Sequence, residues 1–182
     1  MSKNVAEMQT DNLLIVRAAR GDQRAFEQLY RTHVDRVYGL CLRMTRNTAT
    51  AEDCTQQAFI QAWNALPRFE NRSAFGTWLH RIAVNIVLGQ RRGAVDVLLT
   101  AVPAEAHDIE VVFDTPVEVA EMEAAIERLP DGARDVLILS GIYGYSHGET
   151  ASMLGIAEGT CKAQLHRARQ LLRERLSLEA CG

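Results

Sequence analysis

Apolar residues along this chain recur at helical rather than alternating spacing. From Asp22, placed to cap a long helix, Phe26, Leu29, Tyr30, Val34, Val37, Tyr38, Cys41 and Met44 make one continuous stripe. A shorter helix precedes it, from Leu13 to Arg20, ended near Gly21 after a polar tail. Thr45 to Thr50 breaks the pattern. A third helix runs from about Ala51 to Leu66 and buries Cys54, Ala58, Phe59 and Trp63, with Glu52, Asp53, Gln56 and Gln57 expected on its opposite face. Pro67 ends it and opens a loop, PRFENRS. Ser73 is placed to cap a fourth helix through Arg91, with Phe75, Trp78, Leu79, Ile82, Ala83 and Ile86 inward. Helices of this kind form a bundle.

The pattern then lapses over 93–116, where apolar and acidic residues mix without a period. Helix resumes from about Val117 to Arg128, and Pro130 stands where a further helix starts, running through Ser140. The stretch YSHGETASMLGIAEGTCKAQLHRARQLLRERL follows, from Tyr145 to Leu176. Ser146 and Glu149 form a capping box, so a helix begins there. It carries Ala151, Met153 and Leu154 inward and stops at Gly155. A second helix begins near Glu158 with Cys161, Leu165, Ala168 and Leu172 at helical spacing, while Lys162, Arg167, Arg169 and Arg173 crowd the rest of its surface. Two helices joined by a tight turn, the second basic, make a helix-turn-helix that reads DNA. A basic helix alone is more often a solvated face; the cap, the Gly turn and the cations in one register favour the DNA reading. The expected fold is all-α. A disordered tail (1–12) precedes an N-terminal helix bundle (13–92), an acidic flexible linker (93–116) and a C-terminal helix-turn-helix domain (117–178).

Overall charge changes this picture little, but its distribution matters. The 182 residues carry a formal charge of −3. From Gly93 to Glu127 there is no Lys or Arg, yet nine carboxylates occur, among them Glu105, Asp108, Glu110 and Asp114. Two basic modules joined by an acidic connector fit that split. The four cysteines, at 41, 54, 161 and 181, have no metal-ligand spacing, so neither a zinc site nor any other metal or cofactor is expected. The first residues, MSKNVAEMQTDN, lack an apolar signal core, and no run reaches membrane-spanning length, which points to a reduced cytoplasmic protein without membrane insertion.

One enzymatic motif needs weighing. GYSHG, Gly144 to Gly148, matches a Gly-x-Ser-x-Gly nucleophile elbow. An elbow needs a parallel sheet beneath it, and no strand series precedes this one. Ser146 is better explained as a helix cap, and no catalytic residue is assigned.

With both modules laid out, the chain resembles the ECF (extracytoplasmic function) group of bacterial RNA polymerase sigma factors, in the sigma-70 family, from Leu13 to Leu176. AEDCTQQAFIQAW looks like the core-polymerase-binding helix. FENRSAFGTWLHRIAVNIVLGQRR looks like the segment that reads and melts the minus-ten element. LPDGARDVLILSGIYGYSHGETASMLGIAEGTCKAQLHRARQLLRERL looks like the minus-thirty-five-reading domain. The resemblance implies that Glu52, Asp53, Gln56, Gln57 and Phe59 dock on the coiled coil of the polymerase clamp. It implies that Phe69, Asn71, Arg72 and Ser73 capture a flipped base, with Trp78, Arg81 and Asn85 along the separated strands. Aromatic, amide and cationic groups suit that task, because every base offers a face to stack and an edge to bond. In the recognition helix Lys162, Ala163, His166 and Arg167 match base-facing positions, Arg169 and Arg173 backbone contacts, and Gly159 and Thr160 a phosphate held at the helix start. The family pattern usually has an acid at Gln57, a hydroxyl at Ala163 and a cation at Gln164. By the same resemblance the chain is an alternative sigma factor of a stress or envelope response. It would bind core RNA polymerase and promoter DNA, thread its linker through a polymerase channel, and be held in check by an anti-sigma factor. A conventional DNA-binding regulator with a ligand-sensing bundle is the competing reading; the aromatic loop and the acidic docking helix argue against it.

Overall fold

Nothing but helix and connecting turn occurs among the described residues of the computed structural model, which are 2–93 and 116–179, with side chains described over 11–93 and 120–176. They belong to two compact units. The all-helical, two-domain expectation therefore holds. The acidic linker expected over 93–116 lies outside the described residues except for its ends, Gly93 and Pro116.

The first unit is built of α1 (Ser2–Ala19), α2 (Gln23–Thr45), α3 (Thr48–Ala65), a 3-10 turn (Leu66–Arg68) and α4 (Phe75–Arg92). The disordered tail expected over 1–12 is thus corrected to helix over 2–12. Its polar residues leave no apolar stripe to read, but they include no Gly or Pro and so can extend the turn begun by Leu14 and Ile15. Asp22 caps α2 as its position predicts, accepting from the amides of Arg24 (3.0 Å) and Ala25 (3.1 Å). The Arg17 guanidinium, 2.7 Å from the same carboxylate, is the leading cause holding its pKa below the usual value. Arg46 ends α2 in the left-handed region, φ 57°, and Asn47 caps α3 through the amide of Thr50 at 2.8 Å. Two caps within two residues let α2 and α3 turn back on each other. Between them and α4 lie Leu29, Val37, Leu40, Met44, Ala58, Ala62, Leu79, Ile82, Ala83 and Ile86, all buried. Ser73 is not the cap expected of it. That position falls to Ala74, without a side-chain hydrogen bond, and α4 begins at Phe75.

In the second unit α5 (Pro116–Glu127) is followed by α6 (Asp131–Val136). The helix expected to run on to Ser140 instead widens into a π-helical turn, Leu137–Ile142. It closes with bonds from the Tyr143 amide to Ile138 O and the Tyr145 amide to Leu139 O, both 3.0 Å. Gly141 lies within this turn, where a Cβ would stand 3.2 Å from Leu137 Cδ1. Arg134, 1% exposed, pairs with Asp131 (2.9 Å) and donates to Leu129 O (3.3 Å). Then come α7 (His147–Leu154) and α8 (Glu158–Glu179), packed through Ala151, Met153, Cys161, Leu165, Ala168 and Leu172. The Ser140 and Thr150 hydroxyls meet at 2.8 Å beneath α7.

Cys41, Cys54 and Cys161 are buried as small apolar groups. Burial pushes the Cys41 thiol up to about 12 and the Cys54 thiol to about 11, so neither is a ready nucleophile. No helix among the described residues is long and apolar enough to cross a membrane.

His80 on α4 is the buried group with a titration consequence. Burial, and then the charge of Arg36 and the proximity of His33, lower its pKa from 6.5 to about 3. The unfolded chain takes up this proton below about pH 6.5, whereas the folded unit refuses it until about pH 3. Stability supplied by neutral His80 is therefore complete above about pH 6.5 and falls as the pH drops toward 3. Thermal unfolding followed from pH 7.5 to 4.5 should show a falling Tm in the wild type and a shallower fall in His80→Gln. Equal slopes would remove His80 as a source of acid sensitivity.

Candidate functional site

The α3 surface departs from expectation in one respect. Glu52, Asp53, Gln56 and Gln57 are exposed as predicted, but the first three do not lie opposite the aromatic residues. At 100° per residue Glu52, Gln56, Phe59, Ile60 and Trp63 share one side of the helix. Together with Asp53 they form one wall of an open groove of about 830 Å³. The other wall is α2, contributing Phe26, Tyr30, Val34, Asp35 and Tyr38. Edge-on ring contacts line its floor: Tyr30 against Phe59 at 4.6 Å and Phe26 against Trp63 at 4.9 Å. Two large apolar groups stand in solvent here, Ile60 at 54% and Tyr30 at 41%. The groove is thus apolar in its depth and acidic at its rim, through Asp35, Glu52 and Asp53. The periodicity could have found it: the α2 stripe is too wide for one neighbour to cover. Gln57 does not line it.

The loop after the 3-10 turn brings a second set together. Asn71 adopts a left-handed conformation, φ 53°, which an Asn tolerates better than most residues. Arg72 is exposed and paired with Glu70 at 2.5 Å. Phe69 folds back onto α4, its ring 4.7 Å from Trp78 and 6.1 Å from Phe75; Phe75 and Trp78 are 5.7 Å apart. Phe75 is core, while Phe69, Ser73 and Trp78 are half-buried. Trp78, Arg81 and Asn85, spaced by three and four residues, form a half-buried line along α4 from the aromatic cluster. Arg91, at the helix end, donates to the Met44 carbonyl at the end of α2, where a cation also meets the negative end of that helix.

In the second unit Ser146 Oγ accepts from the Glu149 amide at 3.2 Å, and Glu149 Oε2 accepts from the Ser146 amide at 2.8 Å. This capping box starts α7 and accounts for the serine of the GYSHG motif. Gly155, φ 66°, reverses the chain into α8. On α8, Gly159, Thr160, Lys162, Ala163, His166, Arg167, Arg169 and Arg173 are all exposed, and Cys161, Leu165, Ala168 and Leu172 all buried. Gln164 is half-buried, close enough that a Cβ on Gly132 would meet its side-chain nitrogen at 3.5 Å. Lys162 bonds Glu158 at 2.7 Å across one turn, a pair that the sequence reading missed although its spacing announces it. That bond lowers the pKa of Glu158 and raises that of Lys162.

Comparison with known proteins gives these surfaces a family. Residues 29–95 match Sigma-70 region 2, and residues 120–172 match Sigma-70, region 4. The chain is 34% identical to the ECF RNA polymerase sigma factor SigW of Bacillus subtilis, covering 89% of this chain and 94% of that protein. It is 31% identical to the ECF RNA polymerase sigma-E factor of Escherichia coli, over 92% and 95% respectively. Against the ECF RNA polymerase sigma factor SigE of Mycolicibacterium smegmatis it is 36% identical, and there it spans 65% of the relative's length. A solved structure of CnrH in complex with the cytosolic domain of CnrY superposes with a TM-score of 0.64 at 27% identity, covering 93% of this chain and 98% of that one. The chain belongs to the ECF RNA polymerase sigma factors, alternative sigma factors that direct transcription initiation.

Proposed function

We propose that this sigma factor binds core polymerase through the acidic, aromatic groove between α2 and α3. In this reading it opens and reads the minus-ten element with the loop at 69–73 and the Trp78, Arg81, Asn85 line. It reads the minus-thirty-five element with the outer face of α8, where Lys162, Ala163, His166 and Arg167 meet bases and Arg169 and Arg173 meet phosphates. The amides at Gly159 and Thr160 hold a further phosphate. It makes and breaks no covalent bond itself; nucleotide addition belongs to the core enzyme. Its working place is the cytoplasm, its occasion a stress or envelope signal, and its control an anti-sigma factor, as membership of this family implies.

The observation that carries the reading is the segregation on α8. One side is wholly apolar and buried against α7, and the other holds five basic or imidazole side chains in solvent beside a capped, Gly-terminated helix. A solvated helix face would not need that scaffold. The competing ligand-sensing regulator would require an enclosed ligand site in the bundle, whereas the groove there is an open one rimmed by carboxylates. The deciding experiment is a transcription assay with core polymerase, in which the protein should confer promoter-specific initiation that core alone lacks.

Two mutational outcomes follow from the surfaces. Arg167→Ala should weaken the cognate upstream duplex by ~1–3 kcal/mol and leave a scrambled duplex nearly unaffected. Arg173→Ala should weaken both alike and flatten the salt dependence. Fluorescence anisotropy at two salt concentrations checks the division. Identical losses on both duplexes in both variants would overturn it.

Charge reversal at Asp53 tests the groove. Asp53→Arg and Ile60→Ala change exposed positions and should leave the melting curve in place, yet each should weaken association with core polymerase by about tenfold or more. Core binding that is unchanged in both would move the docking surface elsewhere.

A further inference from the structure

Beneath the aromatic loop runs a chain of contacts that starts on α1. The Asp11 carboxylate accepts from His33 Nε2–H on α2 at 3.1 Å, in a part-buried setting where the two side chains are 19% and 15% exposed. The imidazole so held lies edge-on to Phe75, ring centres 5.2 Å apart. It also lies over the first turn of α4, where a Cβ on Gly76 would meet its Cε1 and Nδ1 at 3.5 Å. Phe75 in turn touches Phe69 at 6.1 Å and Trp78 at 5.7 Å. Phe69 belongs to the short loop between the 3-10 turn and α4, and its ring rests on Trp78 and Phe75. An imidazole can rotate by half a turn about its Cβ–Cγ bond, and the carboxylate, which can only accept, selects the orientation that presents Nε2–H to it.

We propose that Asp11 and His33 are positioning residues for base capture: their hydrogen bond fixes the imidazole against Phe75, and Phe75 then holds Phe69 and Trp78 in the arrangement that receives a flipped base. The proposal rests on the reading of that loop as the minus-ten surface. It gives α1 a part in promoter opening without any contact to DNA. The hydrogen bond is the point of control, because loss of its acceptor frees the ring while leaving every apolar contact of the core in place. Asn at position 11 keeps an acceptor oxygen and should keep the arrangement; Ala removes it.

The test uses full-length protein with core polymerase and measures permanganate reactivity of unpaired thymines in the open complex. Core affinity and upstream-duplex affinity are measured alongside. Asp11→Ala should lower open-complex yield by roughly three- to tenfold, the size expected for one lost charge-assisted bond. Asp11→Asn should restore most of it. His33→Leu keeps apolar volume against Phe75 and Gly76, so it folds even if Asp11→Ala does not, and it should show the same loss. In a Trp63→Phe background the emission of Trp78 should shift in Asp11→Ala and His33→Leu but not in Asp11→Asn. Phe69→Ala separates the two levels. If it leaves opening intact, the loop is not the capturing surface and the reading beneath this proposal fails. If it impairs opening while Asp11→Ala and His33→Leu match the wild type in opening and emission, the positioning role is overturned. A loss in Asp11→Ala that Asp11→Asn does not relieve would also overturn it.

Discussion

The apolar stripe on α2 is wider than a single neighbour can cover, and the first unit is arranged around that fact. Leu29, Val37, Leu40 and Met44 go fully inside. Phe26, Tyr30, Val34 and Tyr38 are left to a groove that α3 closes on one side only. Burying a large side chain is worth about 1.5–3 kcal/mol, so surface of this kind left open is a standing invitation to a partner. The carboxylates of Asp35, Glu52 and Asp53 along the rim suit a partner with basic groups beside apolar ones.

The second unit solves the opposite problem. A helix as charged as α8 holds itself in place poorly, and its few buried side chains, Cys161, Leu165, Ala168 and Leu172, need a rigid wall. The wall is α7 set on the π-turn, with the capping box at one end, Gly155 at the other and the Ser140–Thr150 hydroxyl pair below. Each of these devices is local, and together they leave the cations of α8 facing outward.

Local devices are also what the sequence revealed best. The caps at Asp22 and Ser146, the stop at Gly155 and the inward residues of α8 follow from neighbours within one or two turns, as do Leu29, Val37, Cys41 and Met44 of α2 and Phe75, Leu79, Ile82, Ala83 and Ile86 of α4, and they stand where periodicity puts them. What escaped reading has several causes. The placement of Glu52 and Gln56 beside Phe59 and Trp63 is hidden by the habit of assigning polar and aromatic residues to opposite faces, although simple helical geometry puts them together. The polar start of α1 shows no stripe. The π-turn at Leu137–Ile142 has no local signal in the sequence, and Ser73 lost its role as cap when α4 began one residue later than that cap requires. The Asp11–His33 bond joins residues 22 apart and leaves no local trace.

The anchor from Arg91 to the Met44 carbonyl has a mechanical meaning as well. The connector to the second unit leaves the bundle at Gly93, two residues beyond that anchor. The last turn of α4 is where an isolated helix would fray. With Arg91 fastened to the end of α2, that turn is held by a second long helix of the bundle, which supports the helix that bears Trp78, Arg81 and Asn85.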